Sequence, residues 1–390
     1  MKLAGRMARL GTEAVFEVGA KARALEAQGR EVIHLEIGEP DFDTPEHVTA
    51  AGIEALRAGQ THYAAPEGLA PLREAIAAQV SRTRGIPVSP AEVIVTPGAK
   101  PIIFYTLLAL AEAGDEVIYP DPGFPIYESM IDFVGAKAVP APLREENDFR
   151  IDVDELCRKV TPRTRLIILN SPENPTGSVL SQQDLEAIAT VARQHDLMIL
   201  SDEIYARILY AGEPLSIASF PGLKERTIIM DGFSKIHAMT GWRLGYGVMP
   251  EELAQHMRRL MINSNSCTAS FTQHAGVEAL RGPQEAQTRM VAAFRERRDA
   301  LVAGLRRIPG ITCREPQGAF YVFPNISGYG LTSQDFADYI LQRAGVAVVA
   351  GTAFGRYGEG YVRISYANSL ANIERALERM AEAIAELGRP

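Results

Sequence analysis

Short apolar runs, separated by glycine, proline and charged breaks, organise the middle of this chain. Leu166-Ile-Ile-Leu and Leu197-Met-Ile-Leu are apolar at every position. Runs of that kind mark strands buried on both faces, as in a mostly parallel sheet covered by helices. Strands are expected near 92–96, 116–120, 136–140, 164–169, 197–201, 227–231 and 244–249. Between most of them the apolar spacing changes to that of a helix, near 101–113, 125–134, 152–160 and 181–194.

The two ends of the chain read differently. Residues 11–28 put Ala14, Val15, Val18, Ala22 and Leu25 on one helical face, with Gly29 as a stop. Val32–Ile37 reads as a strand, and Thr44-Pro45 opens a helix over 45–58. A further helix ends near Arg84. After Met249 the pattern is helical, with an amphipathic connector near 284–307. The tail alternates between strand 320–323, helix 333–344, strands 346–349 and 361–365, and helix 369–387. The expected division has three parts. Residues 1–44 pack with a small domain, 45–283 form a large domain, and 284–390 form the small α+β domain.

Composition narrows the function. A chain of 390 residues is too long for one ordinary core. The net charge of −8 argues against a nucleic-acid surface. Cys157, Cys267 and Cys313 are odd in number and far apart, which fits a reducing compartment and gives no metal-ligand spacing. No stretch reaches the ~18–20 apolar residues of a membrane span, and the first residues have no apolar leader pattern. A cytoplasmic protein without metal, nucleic-acid or membrane partners is expected.

The chemistry centres on Lys235, which sits among Phe233, Ile236, Met239 and Trp242, with Arg243 following. An amine in that company suits a lowered pKa and attack on a carbonyl, as in a Schiff base with a cofactor aldehyde. Ligands in such sheets gather at strand ends. Strand 92–96 runs into Gly98-Ala99-Lys100 at a helix start, either a phosphate-holding turn or an ordinary Pro-Gly turn. Asn174 lies between prolines in a loop and either points at a ligand or makes a local turn. Asp202 ends an apolar strand and either needs a cationic partner or caps a helix. Arg363 interrupts Tyr361-Val-Arg-Ile-Ser, pointing inward at a carboxylate or outward at solvent.

Taken together, Gly38-Glu-Pro-Asp-Phe42, Asn174-Pro-Thr-Gly, Ser201-Asp-Glu-Ile-Tyr205, Ser234-Lys235 and Met239-Thr-Gly-Trp-Arg243 are specific. In order and spacing they resemble the pyridoxal-phosphate aminotransferases of the aspartate aminotransferase family, fold type I. The resemblance covers about residues 6 to 385. It implies a large domain with a mostly parallel seven-stranded sheet and a smaller α+β domain built from both termini. It implies a transaminase, a transferase of nitrogenous groups that uses pyridoxal 5'-phosphate. The amino group moves between an L-amino acid and a 2-oxo acid by a ping-pong aldimine mechanism.

The resemblance also implies roles for individual residues. Lys235 forms the Schiff base and shuttles the proton, Asp202 pairs with the ring nitrogen, and Tyr205 and Asn174 bind the ring's 3-oxygen. Phe124 stacks on the ring. Gly98, Ala99, Lys100, Ser234 and Arg243 hold the phosphate. Tyr63 reaches the phosphate of a neighbouring subunit, making a homodimer with shared sites. Arg363, with Gly38 and Asn174, binds the substrate α-carboxylate.

Lys100 either reads a distal carboxylate, giving aspartate or glutamate direction, or contributes only its backbone. His237 stands where an aromatic is commoner in the family; it either meets a polar substrate group or is structural. The segment Leu10-Gly-Thr-Glu13 lacks the small hydroxyl pair often found before the first helix. A lyase, decarboxylase or cyclase on the same scaffold is the alternative.

Overall fold

Leu166 and Ile168 pack on one side of a central sheet, and Ile167 and Leu169 pack on the other. This alternation explains why the run is apolar throughout: each face has its own layer of helices. The computed structural model describes residues 1–387; residues 388–390, assigned above to the C-terminal domain, lie outside the described residues. Among the described residues the strands are β1 (Ile33–His34), β2 (Val93–Thr96), β3 (Glu116–Asp121), β4 (Lys137–Pro142), β5 (Thr164–Asn170), β6 (Met198–Asp202), β7 (Thr227–Gly232), β8 (Gly245–Val248), β9 (Tyr321–Val322), β10 (Val346–Ala347), β11 (Val349–Ala350) and β12 (Val362–Ser365).

The large sheet has seven strands in the order β2-β8-β7-β6-β5-β3-β4. β8 is antiparallel to both its neighbours, and the other pairings are parallel. The carboxyl ends of β2, β3, β5, β6 and β7 therefore share one edge. Helices Lys100–Leu110, Ile126–Val134 and Glu251–Ser264 cover one face through Ile102, Ile131 and Met257. Helices Val153–Lys159 and Gln182–Gln194 cover part of the other through Leu156 and Ile188. Helices Glu46–Arg57, Ala70–Arg84 and Ser270–Arg281 complete that face through Val48, Ile76 and Ala275.

The C-terminal region has its own core, in which Phe294, Phe320, Phe336, Ile364 and Tyr366 are buried. β12 pairs antiparallel with β11 and β9. β1 pairs parallel with β10, tying the N-terminal segment to this region.

The runs 32–37 and 346–349 pair differently from the single strands their patterns suggest. The run 32–37 pairs as a strand only at Ile33 and His34. Leu35 then donates to Ala347 and accepts from Ser365, so the backbone changes neighbours before the Gly38 loop. The run 346–349 divides at Val348, its first part pairing with β1 and its second with β12. Alternation records burial on a face and does not record which neighbour supplies the ladder.

One buried charge cluster supports the sheet edge. Arg84, at the end of helix Ala70–Arg84, donates to Glu203 at 2.6 Å and to Asp231 at 3.0 Å. Ser201 and Ser216 also donate to Glu203, and Tyr246 donates to Asp231. Removing the cation would leave two buried carboxylates without compensation. Arg84→Met is expected to destabilise the fold by about 3–5 kcal/mol in urea unfolding. Adding Glu203→Gln should recover part of that loss. A single variant as stable as the parent would contradict this role.

Candidate active site

The shared carboxyl edge opens into a cavity of about 420 Å³. Gly38, Ala99, Lys100, Phe124, Asn174, Asp202, Tyr205, Ser234, Lys235, Arg243 and Arg363 all line it, although they come from distant parts of the sequence. Gly98, next to the lining residue Ala99, and Tyr63 do not line it. Tyr63 is 90% exposed, on the loop before helix Ala70–Arg84.

Lys235 follows β7 by three residues, and its Nζ donates to the Gly38 carbonyl at 2.5 Å. The rings of Tyr205 and Phe320 lie 5.8 and 5.7 Å from the ammonium. Burial, then the nearby charges of Arg363, Lys100 and Arg243, lower its pKa from 10.5 to about 8, with Glu39 acting the other way. The side chain is thus poised between amine and ammonium near neutral pH.

Asp202 ends β6 and is buried. One carboxylate oxygen accepts from the Tyr127 hydroxyl at 2.5 Å, and the other from the Ile204 N–H at 3.2 Å. Burial raises its pKa to about 7 despite those bonds, with Asp231 and Glu203 adding to the rise. Among the described residues it makes no ion pair; the buried Arg84 pairs with Glu203 and Asp231.

Arg363 projects from β12 into the cavity rather than to solvent, which resolves the two orientations its alternating strand allowed. Its guanidinium donates to Asn174 Oδ1 at 3.1 Å and to the Glu36 carbonyl at 2.5 Å. It lies 4.4 Å from the Tyr321 ring centroid and 4.8 Å from that of Phe354. Its Nε is buried without a hydrogen-bond partner among the described residues. A buried, unpaired N–H of that kind is a ready donor for a carboxylate.

The opposite end is built for an anion. Gly98 has φ +83°, and a Cβ there would collide with the Arg243 guanidinium. The Gly98–Ala99 turn also rests against β8, where a Cβ on Gly245 would come within 2.7 Å of Ala99 Cα. Small residues therefore let the turn, the start of helix Lys100–Leu110 and Arg243 converge. Arg243 is itself oriented by a 2.8 Å bond to the Thr240 carbonyl.

Several contacts escape sequence reasoning. The Tyr321 hydroxyl meets the Tyr205 hydroxyl at 2.9 Å and blocks any side chain at Gly38. Tyr127, three residues after Phe124, carries no role in the sequence reading; only the fold reveals its bond to Asp202. Glu13 pairs with Lys100.

His237 does not line the cavity. It is buried, with Nδ1 2.9 Å from the Gln287 amide and Nε2 accepting from Arg207 at 3.2 Å. Burial, with the Arg207 charge, lowers its pKa well below 6.5. Of its two readings the structural one holds: an apolar site with polar partners on both sides keeps the imidazole neutral.

The fold and this cavity are those of a fold type I enzyme. Residues 30–380 match the profile of the family described as aminotransferase class I and II. The chain is 44% identical over 365 residues to the aromatic-amino-acid aminotransferase 2 of Thermococcus litoralis, covering 92% of this chain and 94% of that one. It is 41% identical over 387 residues to the aspartate aminotransferase of Musicola paradisiaca, covering 98% and 97%. The structure of the Thermus thermophilus aspartate aminotransferase with maleate matches at a TM-score of 0.94 and 40% identity, covering 98% of this chain and 100% of that one. The chain belongs to the class I and II aminotransferases. It is a transaminase, moving an amino group between an amino acid and a 2-oxo acid, and the lyase, decarboxylase and cyclase alternatives are not favoured.

Because His237 faces the protein interior, its substitution should act on stability. His237→Ala is expected to cost about 1–3 kcal/mol of unfolding free energy, with the ratio of kcat/KM for aspartate to that for phenylalanine unchanged. A large shift in that ratio, with stability intact, would return His237 to the substrate site.

Proposed function

We propose that this transaminase holds pyridoxal 5'-phosphate in the cavity described above and is directed toward acidic amino acids. The observation that carries the reading is one cavity holding both Lys235, with its lowered pKa, and Asp202, a buried carboxylate with no ion-pair partner among the described residues. When bound, the cofactor supplies an aldehyde for amine exchange and a protonated ring that draws electrons from the substrate's α-carbon.

The residues present fit that group. Asp202 would offer an anion to the ring nitrogen and favour its protonated form, while Tyr127 and the Ile204 N–H hold the carboxylate in place. Tyr205 and Asn174 would hold the 3-oxygen and Phe124 the ring. The Gly98-Ala99-Lys100 turn, Ser234 and Arg243 would hold the phosphate. Support for this is the cradle that any Cβ at Gly98 would fill.

Arg363 captures the substrate α-carboxylate through its unpaired Nε, with Gly38 and Asn174 beside it. That contact fixes the substrate so that its Cα–H bond faces Lys235. The Lys235 amine takes the α-proton and returns a proton on the other side of the transfer, as general base and then acid. A pKa near 8 lets one group do both. The second half-reaction runs the same steps in reverse with a 2-oxo acid.

Acidic direction is supported by Lys100 at the cavity wall and by relatives named aspartate aminotransferase. We further propose a homodimer in which Tyr63 reaches the partner's phosphate, as the 90% exposure of this aromatic suggests. The pairing of β1 with β10 supports a small domain formed by residues 1–44 with the region after 283, around a large domain over 45–283. A cytoplasmic location is consistent with three unpaired cysteines and with the lack of any long apolar helix among the described residues.

The test is a single-turnover experiment on the cofactor-loaded enzyme with a panel of amino acids. Aspartate or glutamate should bleach the cofactor's ~420 nm band and release a 2-oxo acid. Lys235→Ala should lower turnover by orders of magnitude. Arg363→Ala should raise KM roughly a hundredfold or more for every amino acid while cofactor affinity holds. No response to any amino acid would sink the assignment, and a monomer in sedimentation at micromolar concentration would sink the dimer.

A further inference from the structure

The N-terminal segment brings into the cavity a charge that the roles above do not use. Glu13 is the residue before helix Ala14–Glu26, yet its side chain makes no cap to that helix. It extends instead to Lys100, and the two form an ion pair between residues 87 positions apart. Both line the cavity. The Glu13 side chain is 18% exposed and that of Lys100 46%, so the pair sits at the mouth, with the carboxylate on the inner side. Burial lowers the Arg363 pKa, and the Glu13 charge opposes this, so its carboxylate acts on both cations that a dicarboxylate would use.

The surroundings of the pair are apolar. Lys100 Nζ lies 5.3 Å from the centroid of the Phe124 ring, and Val15, Phe16 and Ile37 line the same cavity. With the pair closed, Lys100 and Glu13 neutralise each other beside these apolar side chains. With the pair open, this end of the cavity presents one free ammonium.

We propose that Glu13 is a specificity-determining residue that occupies Lys100 in place of a substrate's distal carboxylate. Uncharged and aromatic side chains then bind with the ion pair intact. An acidic side chain binds only by displacing Glu13 from Lys100, and it leaves the displaced carboxylate close to a like charge. Selectivity is thereby set by a repulsive element as well as an attractive one. The inference rests on the acidic-substrate reading, with Lys100 as the distal-carboxylate partner, and sets a limit to it: Lys100 supplies the acidic preference and Glu13 reduces it.

Glu13→Gln keeps the size of the side chain and removes its charge. On the cofactor-loaded enzyme it should raise kcat/KM for aspartate roughly tenfold, with phenylalanine changing less than about threefold. Calorimetric titration should follow the same split: succinate tightens about tenfold, and 3-phenylpropanoate is unmoved. Equal changes for both classes, or weaker succinate binding, would overturn the proposal. Lys100→Ala separates the two levels of the claim. If it selectively lowers aspartate and succinate while Glu13→Gln raises neither, Lys100 keeps its role and the Glu13 proposal is wrong. If it depresses aspartate and phenylalanine alike, the acidic reading of Lys100 fails, and Glu13 as its competitor fails with it.

Discussion

A buried carboxylate, Asp202, with no cation paired to it among the described residues, is the constraint around which this molecule is arranged. β6 is apolar through Leu200 and then ends in Ser201 and Asp202, at the edge where β5 and β7 also end. Burying an ionised carboxylate costs several kcal/mol unless it is paired. The buried cation Arg84 pairs with Glu203 and Asp231 and not with Asp202. Asp202 is left with a hydroxyl and one N–H, enough to fix its direction and too little to keep its pKa low. Lys235 has the mirror-image problem: burial and surrounding cations push its pKa down. Two titratable groups pushed toward neutrality from opposite sides, in one cavity, mark a place where protons are moved.

The cavity is closed by the two ends of the chain. Gly38 accepts from Lys235 across 197 residues of sequence, and Asn174 accepts from Arg363 across 189. Glu13 and Tyr321 also reach it from outside the large sheet. The sheet edge thus carries Lys235 and Asp202, while Glu13, Gly38, Tyr321 and Arg363 come from the two ends of the chain. That separation is suited to a family whose members share chemistry and differ in the amino acid they take.

Much of this was legible in the sequence, for physical reasons. A strand buried on both faces must be apolar throughout, so the large sheet announced itself in runs such as Leu166 to Leu169. Lys235 stood out because an amine among Phe233, Ile236 and Met239 has no ordinary surface use. The joint spacing of the motifs settled the family where each motif singly was ambiguous. Illegible were the contacts that only folding creates. Nothing in the local pattern links Arg84 to Glu203 and Asp231, 119 and 147 residues away. Tyr127 and Tyr321 look like core aromatics until their hydroxyls are seen on Asp202 and Tyr205. Glu13 carries no role in the sequence reading, and its partner Lys100 lies 87 residues away. His237 left two readings open in the sequence, and its neighbours in space decide for the structural one.

The central claim is that one amine, Lys235, carries the chemistry of this cavity. Borohydride reduction of the cofactor-loaded enzyme, followed by peptide mass spectrometry, tests it most directly. The account predicts a single pyridoxyl-phosphate adduct, on the peptide that contains Lys235, and none when Lys235 is replaced by alanine. An adduct on Lys100 or on a surface lysine in the native enzyme, with Lys235 unmodified, would contradict it.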